Sequence, residues 1–533
     1  MAKGYRPVDR DQPFLLPPDM REWLPGDHLV WLVIGAVEHL DTSAFHAGRK
    51  TGGPGAAGYD PGMLVTVLVW AYAHGVVSSR DIERLCGTDV AFRVICAGNL
   101  PDHSTVARFR GDFGAAIGEF FTQVLILCAR LGMGRLGVVA LDGMKIAASA
   151  SRAANRTEGT LAELAEQAVT AHAAADAAED ELFGAGRRGD EVPGDLWSPR
   201  RRDERIRAAL AGLAAEREAA EREEAAKAET FRARHRAGQR TGPAPKRVAV
   251  ELAEENLARV RAARVARVAE LEQRWAAGEP RRGPVAGVDD YIRVRQAAAK
   301  LEAARARAAE DGRTAAGRSA GTDQGPVRNI TDPDSRLMPV RGGGFIQGYN
   351  AQNVTSQDGL VIAAELTDDT ADCQWFEPML AQAQVAAALI TAHRPAGHGG
   401  QDVIALVLAD AGYCSEHNLT TAGPDRLIAV GKRRDLDKAA RGQDAGPEPG
   451  GPATQAMRAR LKTPDGIAAY RQRGHIAETP HGNIKHNMGF RQLTMRGKRK
   501  ATAEWKFACA VHNLFKAISA GRLTSQALAA LAG

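Results

Sequence analysis

The sequence predicts an α+β architecture: a mixed-sheet core interrupted by a long, coiled-coil-like helical insertion and preceded by an all-α region. Three observations carry this. Two apolar runs, Leu136 to Leu141 and Val403-Ile-Ala-Leu-Val-Leu-Ala409, have the length of buried strands, and each leads into an aspartate, Asp142 and Asp410. Between them, from about Thr157 to Ser319, the composition shifts sharply to Ala, Glu and Arg. Before them, from about Asp27 to Leu131, apolar residues recur at helical spacing.

The chain has 533 residues, 44% of them hydrophobic, enough for a real core and for two or three domains. Its formal charge is +6, and the basic residues are unevenly spread. From Gly466 to Lys516 there are ten Lys and Arg against two acids. Such a local excess suits a polyanion, because phosphate neutralisation and counterion release supply most nucleic-acid affinity. A solvated helix surface is the plainer alternative. The six cysteines show no CxxC spacing and read as reduced core residues. The N-terminus has no signal-like apolar segment, and the longest apolar stretch, Met63 to Ala73, is too short to span a bilayer. A cytoplasmic protein without a membrane role is expected.

After a Pro-rich start (Pro13, Pro17, Pro18), Leu29, Leu32, Val33, Ala36, Val37 and Leu40 recur at three and four, and Met63 to Ala73 is apolar enough for a buried helix. Ser78 offers a cap for the helix that continues through Ile82, and Asp102 one for Val106 to Arg110. Short helices with a basic last member, Arg108 and Arg110, suggest a helix-turn-helix-like unit; a plain helical bundle explains the pattern equally. Leu136 to Ile146 is a strand. In the insertion, Ile206, Leu210 and Leu213, and Val268, Leu271 and Trp275, have coiled-coil-like spacing. Breaks at Gly238 to Pro245 and Gly278 to Pro284 divide it into antiparallel helices, a structural arm by default and a DNA-contacting one as the alternative. Gly344 to Asn353 and Leu360 to Ala364 flank Ser356-Gln-Asp-Gly359, a hairpin signature. Trp375 to Ile390 reads as a helix, Val403 to Ala409 and Leu427 to Val430 as strands, then come a Gly/Pro-rich stretch (Arg441 to Pro464) and a basic helical end. With the insertion removed, that is the element order of a ribonuclease-H-like mixed sheet. The implied division is 1–134 helical and DNA-binding, 135–156 with 325–520 catalytic, 157–324 the arm, and 521–533 a tail.

Three carboxylates then stand out. Asp142 and Asp410 finish strands, and Glu478 lies in Tyr470-x-x-Arg473-x4-Glu478-x6-Lys485, where Glu478 and Lys485 share a face if the segment is helical. Two strand-end aspartates and a helix glutamate can hold two Mg²⁺ for phosphodiester chemistry, since carboxylates suit this hard cation. Taken alone, each strand-end Asp is more often a turn or cap residue. Tyr470 reads equally as core or as a DNA contact. Trp505 and Phe507 read as core, and Asp332 and Asp334 as a turn around Pro333. His475, His481, His486 and His512 match no common zinc spacing. Gly342-Gly-Gly344 lacks the Lys-Ser/Thr of a phosphate loop.

These residues resemble the DDE transposases of bacterial insertion sequences, specifically the eleven-eighty-two group, relatives of the group with a Tyr-Arg-Glu-Lys signature. The stretches that carry the resemblance are Leu141 to Ser151, Thr331 to Arg336, Gly344 to Asn353, Leu408 to Tyr413 and Tyr470 to Gly497, together with Met63 to Arg110. The resemblance implies a ribonuclease-H-like fold, two Mg²⁺ or Mn²⁺ ions, double-stranded DNA (element ends and target) as partner, a homodimer in a synaptic complex, and a bacterial, nucleoid-associated setting. It implies that Asp142, Asp410 and Glu478 form the metal-binding, catalytic triad. Tyr470, Arg473 and Lys485 become the signature that grips phosphate near the cut, and Arg108 and Arg110 become DNA contacts of the N-terminal helices. This chain departs from the family in the Arg473 to Glu478 spacing, one residue longer than usual, in His481 where Phe is usual, and in Met144 where Thr is common. Two rival readings stay open: a metal-dependent DNA nuclease without strand transfer, and a non-catalytic DNA-binding regulator with the same fold.

Overall fold

A computed structural model of the chain describes residues 19–46, 58–112, 114–167, 199–237, 244–280, 283–320, 327–340, 343–395, 397, 401–431 and 450–532. The Pro-rich start, most of the Gly238 to Pro245 break, part of the Gly278 to Pro284 break, Gly342, and the first part of the Arg441 to Pro464 stretch lie outside the described residues. The architecture is α+β with a mixed sheet. Two units separate by their internal contacts, Met1–Ala154 with Asp334–Gly533, and Asn155–Pro333.

The first unit begins with seven helices: α1 (Leu29–Glu38), α2 (Ser43–His46), α3 (Pro61–Ala73), α4 (Ser79–Thr88), α5 (Val90–Cys96), α6 (His103–Asp112) and α7 (Gly114–Arg130). Local chemistry sets their starts. Asp60 Oδ1 accepts from the Met63 N–H (2.8 Å) and Pro61 fills the first position of α3, where its missing N–H costs nothing. Ser78 Oγ accepts from Asp81 N, and Asp102 Oδ1 from Thr105 N, so both expected caps are present. Helix α3 is buried along nearly its whole length, as its continuous apolar run requires.

The sheet follows: β1 (Val138–Ala147), β4 (Arg336–Pro339), β5 (Phe345–Ser356), β6 (Val361–Thr367), β7 (Leu406–Ala409) and β8 (Asp425–Ile428). β1 is central. It pairs antiparallel with β5 on one side and parallel with β7 on the other, and β7 carries β8 in parallel. The far edge of β5 takes both β4 and β6 antiparallel. The β5–β6 hairpin turns at the expected Asp358-Gly359, where Gly359 has φ +87°. β5 is buried at every position from Gln347 to Ser356, the mark of a strand covered on both faces. Asn353 Oδ1 accepts from Trp505 Nε1 (3.1 Å) on α15 (Lys498–Ser519). On the opposite face Gln352 Nε2 donates to Asp372 (2.8 Å), at the entry to α11 (Phe376–His393). The remaining helices are α12 (Glu416–Thr420), α13 (Pro452–Leu461), α14 (Pro464–Gly482) and α16 (Ser525–Ala532). Trp505 and Phe507 are buried, and Leu528 of α16 is too, with its Cδ1 close to Gly35 of α1.

In the second unit a two-stranded ribbon, β2 (Asn155–Thr157) with β3 (Val327–Asn329), accompanies α8 (Pro199–Arg236), α9 (Lys246–Ala276) and α10 (Ile292–Ala320). Its core is small: Leu161, Ile206, Ala209, Leu213 and Ile330. Most of the helical surface is exposed and laced by ion pairs such as Arg305–Glu254 and Arg232–Glu251. Among the described residues no single helix is long and apolar enough to cross a membrane.

Candidate active site

Strand register builds the centre of the site. β1 and β7 run parallel with Leu141 opposite Ala409, so Asp142 and Asp410 are each the next residue on neighbouring strands. Strand spacing alone puts their backbones about 5 Å apart. β7 ends at Ala409 whereas β1 continues to Ala147, so from Asp142 that edge of β1 has no strand partner among the described residues until Ala147 bridges to Gln492.

Helix α14 closes over this place. Thr463 Oγ1 caps it by accepting from Gly466 N, and Tyr470 Oη donates to the Ala409 carbonyl (3.2 Å), seating the helix on the end of β7. One turn on, Arg473 Nη2 donates to Asp142 Oδ1 (2.8 Å) and stands 3.8 Å from Asp410 Oδ2. Two turns further, His481 Nδ1 lies 3.6 Å from Asp142 Oδ2. One guanidinium therefore bridges two carboxylates that originate far apart in the chain.

The two carboxylates are not equivalent. Burial pushes Asp142 upward, but the hydrogen bond and charge of His481 and the charge of Arg473 outweigh it, so its carboxyl is held below the usual range. Burial raises Asp410, the neighbouring Asp142 charge adds to that, and Arg473 offsets only part. Arg473 itself is held firmly protonated: burial opposes its charge, but Asp142, Tyr470, Asp410 and Glu478 more than compensate.

Asp410 is anchored by its own turn, with Oδ1 accepting from Gly412 N (2.8 Å). Behind it is a layer that the sequence did not single out. Asp372 Oδ1 accepts from Asn350 Nδ2 (2.6 Å), Gln352 Nε2 (2.8 Å) and Lys145 Nζ (3.3 Å). The Tyr413 hydroxyl donates to Gln352 Oε1; burial and then the charges of Asp372, Asp142 and Asp410 keep that phenol protonated. The available signal was local: Asp372 ends an acidic stretch, Asp368-Asp-Thr-Ala-Asp372, immediately before a predicted helix.

The other expected residues fall as follows. Glu478 is exposed on α14, and its charge acts on Arg473. Lys485 does not share an α-helical face with it. Pro480 has no N–H to give, α14 ends at Gly482, and Lys485 lies in a π-helical turn, Asn483–Asn487, whose wider winding shifts its direction. Arg108 is exposed on α6. Arg110 is buried, with Nη1 donating to the Val77 carbonyl (2.6 Å) and to Tyr72 Oη (3.3 Å). Helix phase explains this: Val106, Phe109 and Arg110 share the inward face.

Two or more hard carboxylates beside an open strand edge match the ligand chemistry of Mg²⁺ or Mn²⁺. Buried atoms without partners gather there as well: Arg473 Nε, His481 Nε2 and Asn350 Oδ1. Among the described residues, however, no three His, Cys, Asp or Glu side chains are closed around one point. The donor set fits a divalent cation in chemistry, and Asp142 and Asp410 are the carboxylates that could hold it.

Two stretches of the chain are similar to known protein families. A family model described as "Transposase DDE domain" matches residues 446–518, which carry Tyr470, Arg473, Glu478 and Lys485 but neither strand-end aspartate. A second, described as "Transposase domain (DUF772)", matches residues 18–112, the N-terminal helices. No curated protein and no solved structure matches the chain. Two transposase-domain matches at opposite ends of the chain support a DDE transposase family for this protein.

Proposed function

We propose that the chain is a DNA transposase of the eleven-eighty-two insertion-sequence group, which cleaves phosphodiester bonds at the ends of a mobile element and joins the freed 3′-hydroxyls to target DNA. One observation carries the reading: Asp142 and Asp410, side by side on parallel strands, meet Arg473 of the very segment that matches a transposase DDE domain. The strand order, with β5 and β6 on one side of β1 and β7 and β8 on the other, supports a ribonuclease-H-like core.

Asp142 and Asp410 would hold the divalent ions, with Glu478 contributed from α14. When bound, two such cations activate a water or a 3′-hydroxyl and stabilise the leaving oxygen. The protein's own groups bind and orient. Arg473, a planar fork already aimed at the carboxylates, is suited to turn one edge to a phosphate, and Lys485, from the π-helical turn that follows α14, would add a point charge. Tyr470 holds α14 to the end of β7 and so fixes where Arg473 stands. The N-terminal helices, with Arg108 exposed, would read the element ends, and a homodimer would bring two ends together. The arm remains a structural element by default.

The test uses the purified full chain, Mg²⁺, and duplexes ending in whatever inverted repeats flank the gene. Cleavage at the repeat and joining of pre-cut ends to a plasmid are expected, both abolished by chelation. Cleavage without joining would instead indicate a nuclease, and unchanged behaviour of Asp142→Ala in every assay would indicate a regulator that does no chemistry.

A further inference from the structure

Asp372 is a third acid at the strand ends, and two glycines report its position. A Cβ built on Gly143, the residue after Asp142, would stand 2.7 Å from Asp372 Oδ1. One built on Gly412, just past Asp410, would stand 3.1 Å from Asp372 Oδ2 and 3.0 Å from Asp410 Oδ1. The Asp372 and Asp410 oxygens therefore lie no farther apart than roughly twice an ordinary contact distance. Asp410 is flanked on both sides: its Oδ2 is turned to Arg473 and Asp142, its Oδ1 to Gly412 and Asp372.

The two oxygens of Asp372 have different surroundings. Oδ1 takes Lys145, Asn350 and Gln352, which fixes the carboxylate's orientation, while Oδ2 faces Gly412. A second feature points to a ligand. Asn350 is fully buried, its Nδ2 is engaged by Asp372 and by the Asp369 carbonyl, and its Oδ1 has no partner. That oxygen lies in the same cluster, 3.1 Å from where a Gly143 Cβ would be, with Asp372 Oδ1 2.7 Å from that point. A buried acceptor with nothing to accept from is costly, and a cation or its water relieves it.

We propose that Asp372 is a further divalent-cation ligand of the active site, completing a row with Asp142 and Asp410 in which Asp410 is the shared central carboxylate. Three carboxylates in a row, rather than around one point, suit a pair of cations instead of one. Lys145 is then a positioning residue: it holds one Asp372 oxygen so that the other is presented. This rests on the metal-dependent reading above.

The experiment titrates the full-length protein with Mn²⁺ alone and follows the paramagnetic resonance signal of the free ion. Wild type, Asp142→Asn, Asp372→Asn and Lys145→Gln are compared, with the thermal midpoint of each measured without metal. Asp372→Asn is expected to lose one bound Mn²⁺ or to bind about tenfold more weakly, as loss of a charged ligand predicts. Lys145→Gln, which leaves the carboxylate but frees it to turn, should bind more weakly than wild type and less weakly than Asp372→Asn. Asp372→Asn binding like wild type, or Lys145→Gln weakened as much as Asp372→Asn, overturns the proposal and makes Asp372 a structural tie. If Asp372→Asn does not fold, Lys145→Gln decides instead: weaker Mn²⁺ binding at an unchanged thermal midpoint supports the proposal, and binding like wild type overturns it. If wild type binds no Mn²⁺, or Asp142→Asn binds as wild type does, the metal reading itself fails and Asp372 falls with it.

Discussion

Two acidic places in the same unit, one buried and one partly exposed, show opposite habits. Glu504, on α15, is almost wholly buried, yet its oxygens are saturated: Oε1 accepts from Tyr72 Oη (2.8 Å) and Thr494 Oγ1, and Oε2 from the backbone N–H groups of Thr494 (2.8 Å) and Met495 (3.0 Å). Arg110 completes the chain through the Tyr72 hydroxyl. At the strand ends, by contrast, Asp142 and Asp410 share one arginine, and Arg473 Nε, His481 Nε2 and Asn350 Oδ1 are left without partners. A buried carboxylate with every lone pair used is a structural clamp between α3, α15 and the Thr494 loop. Polar groups left without partners beside two such carboxylates hold capacity for something that binds.

The largest expected effect lies on the unsatisfied side. Asp142→Ala should reduce DNA cleavage and joining by roughly a thousandfold or more, as removal of a metal-holding group does. Its thermal midpoint should fall only modestly, because Arg473 and His481 lose the carboxylate they hold ionised while Arg473 keeps Asp410. A large fall in stability with modest loss of activity would erase the contrast.

Glu504 should behave the other way. Glu504→Ala strands the Tyr72 hydroxyl and two backbone donors in the core, at a cost of about 3 kcal/mol in a urea unfolding series. Activity per folded molecule should survive. Cleavage lost at a temperature where the variant is still folded would show that this clamp also takes part in the chemistry.

Much of this was legible in the sequence because the relevant patterns are local. An apolar run of strand length leading into Asp is readable at Leu141-Asp142 and Ala409-Asp410, the Asp358-Gly359 hairpin follows from turn chemistry, and the caps at Ser78 and Asp102 follow from side-chain type. Asp372 was not legible. Its partners Lys145, Asn350 and Gln352 come from β1 and β5, and only the antiparallel register that sets Lys145 opposite Asn350 brings them together. Arg110, expected among the DNA contacts, is instead buried, and Val106 and Phe109, which define the inward face of α6, carry the signal for that. Lys485 was misjudged because equal spacing implies a shared face only while the winding stays α-helical.

A pH series sharpens the contrast at a third polar group, His512. It is buried on α15, with Asn483 Nδ2 donating to its Nδ1 (2.9 Å) and its Nε2 donating to the Gly359 carbonyl (3.0 Å), an arrangement that uses the neutral ring fully. Burial, the main cause, pushes its pKa down to about 4 from an ordinary 6.5. The unfolded chain therefore takes up a proton that the folded chain refuses. The resulting stability is complete above pH 6.5 and is lost progressively as pH falls toward 4, by no more than about 3 kcal/mol. Unfolding midpoints of wild type and His512→Gln at pH 7.5 and pH 5 check this: the wild type should lose more on acidification, and equal losses would remove His512 from the account.

The smallest effect belongs to the other unit, where polar pairs are neither saturated in a core nor held in reserve. Arg305 and Glu254 meet at 2.5 Å, but their side chains are 60% and 49% exposed. Water already solvates both charges, and holding two long side chains in one geometry costs entropy, so a short distance alone says little about stability. Arg305→Ala should shift the unfolding of that unit by no more than about 0.5 kcal/mol, and added salt should shrink even that. A loss several times larger, insensitive to salt, would mean that the arm's surface pairs work as the Glu504 clamp does, and that exposure is a poor guide to which polar contacts in this chain are structural.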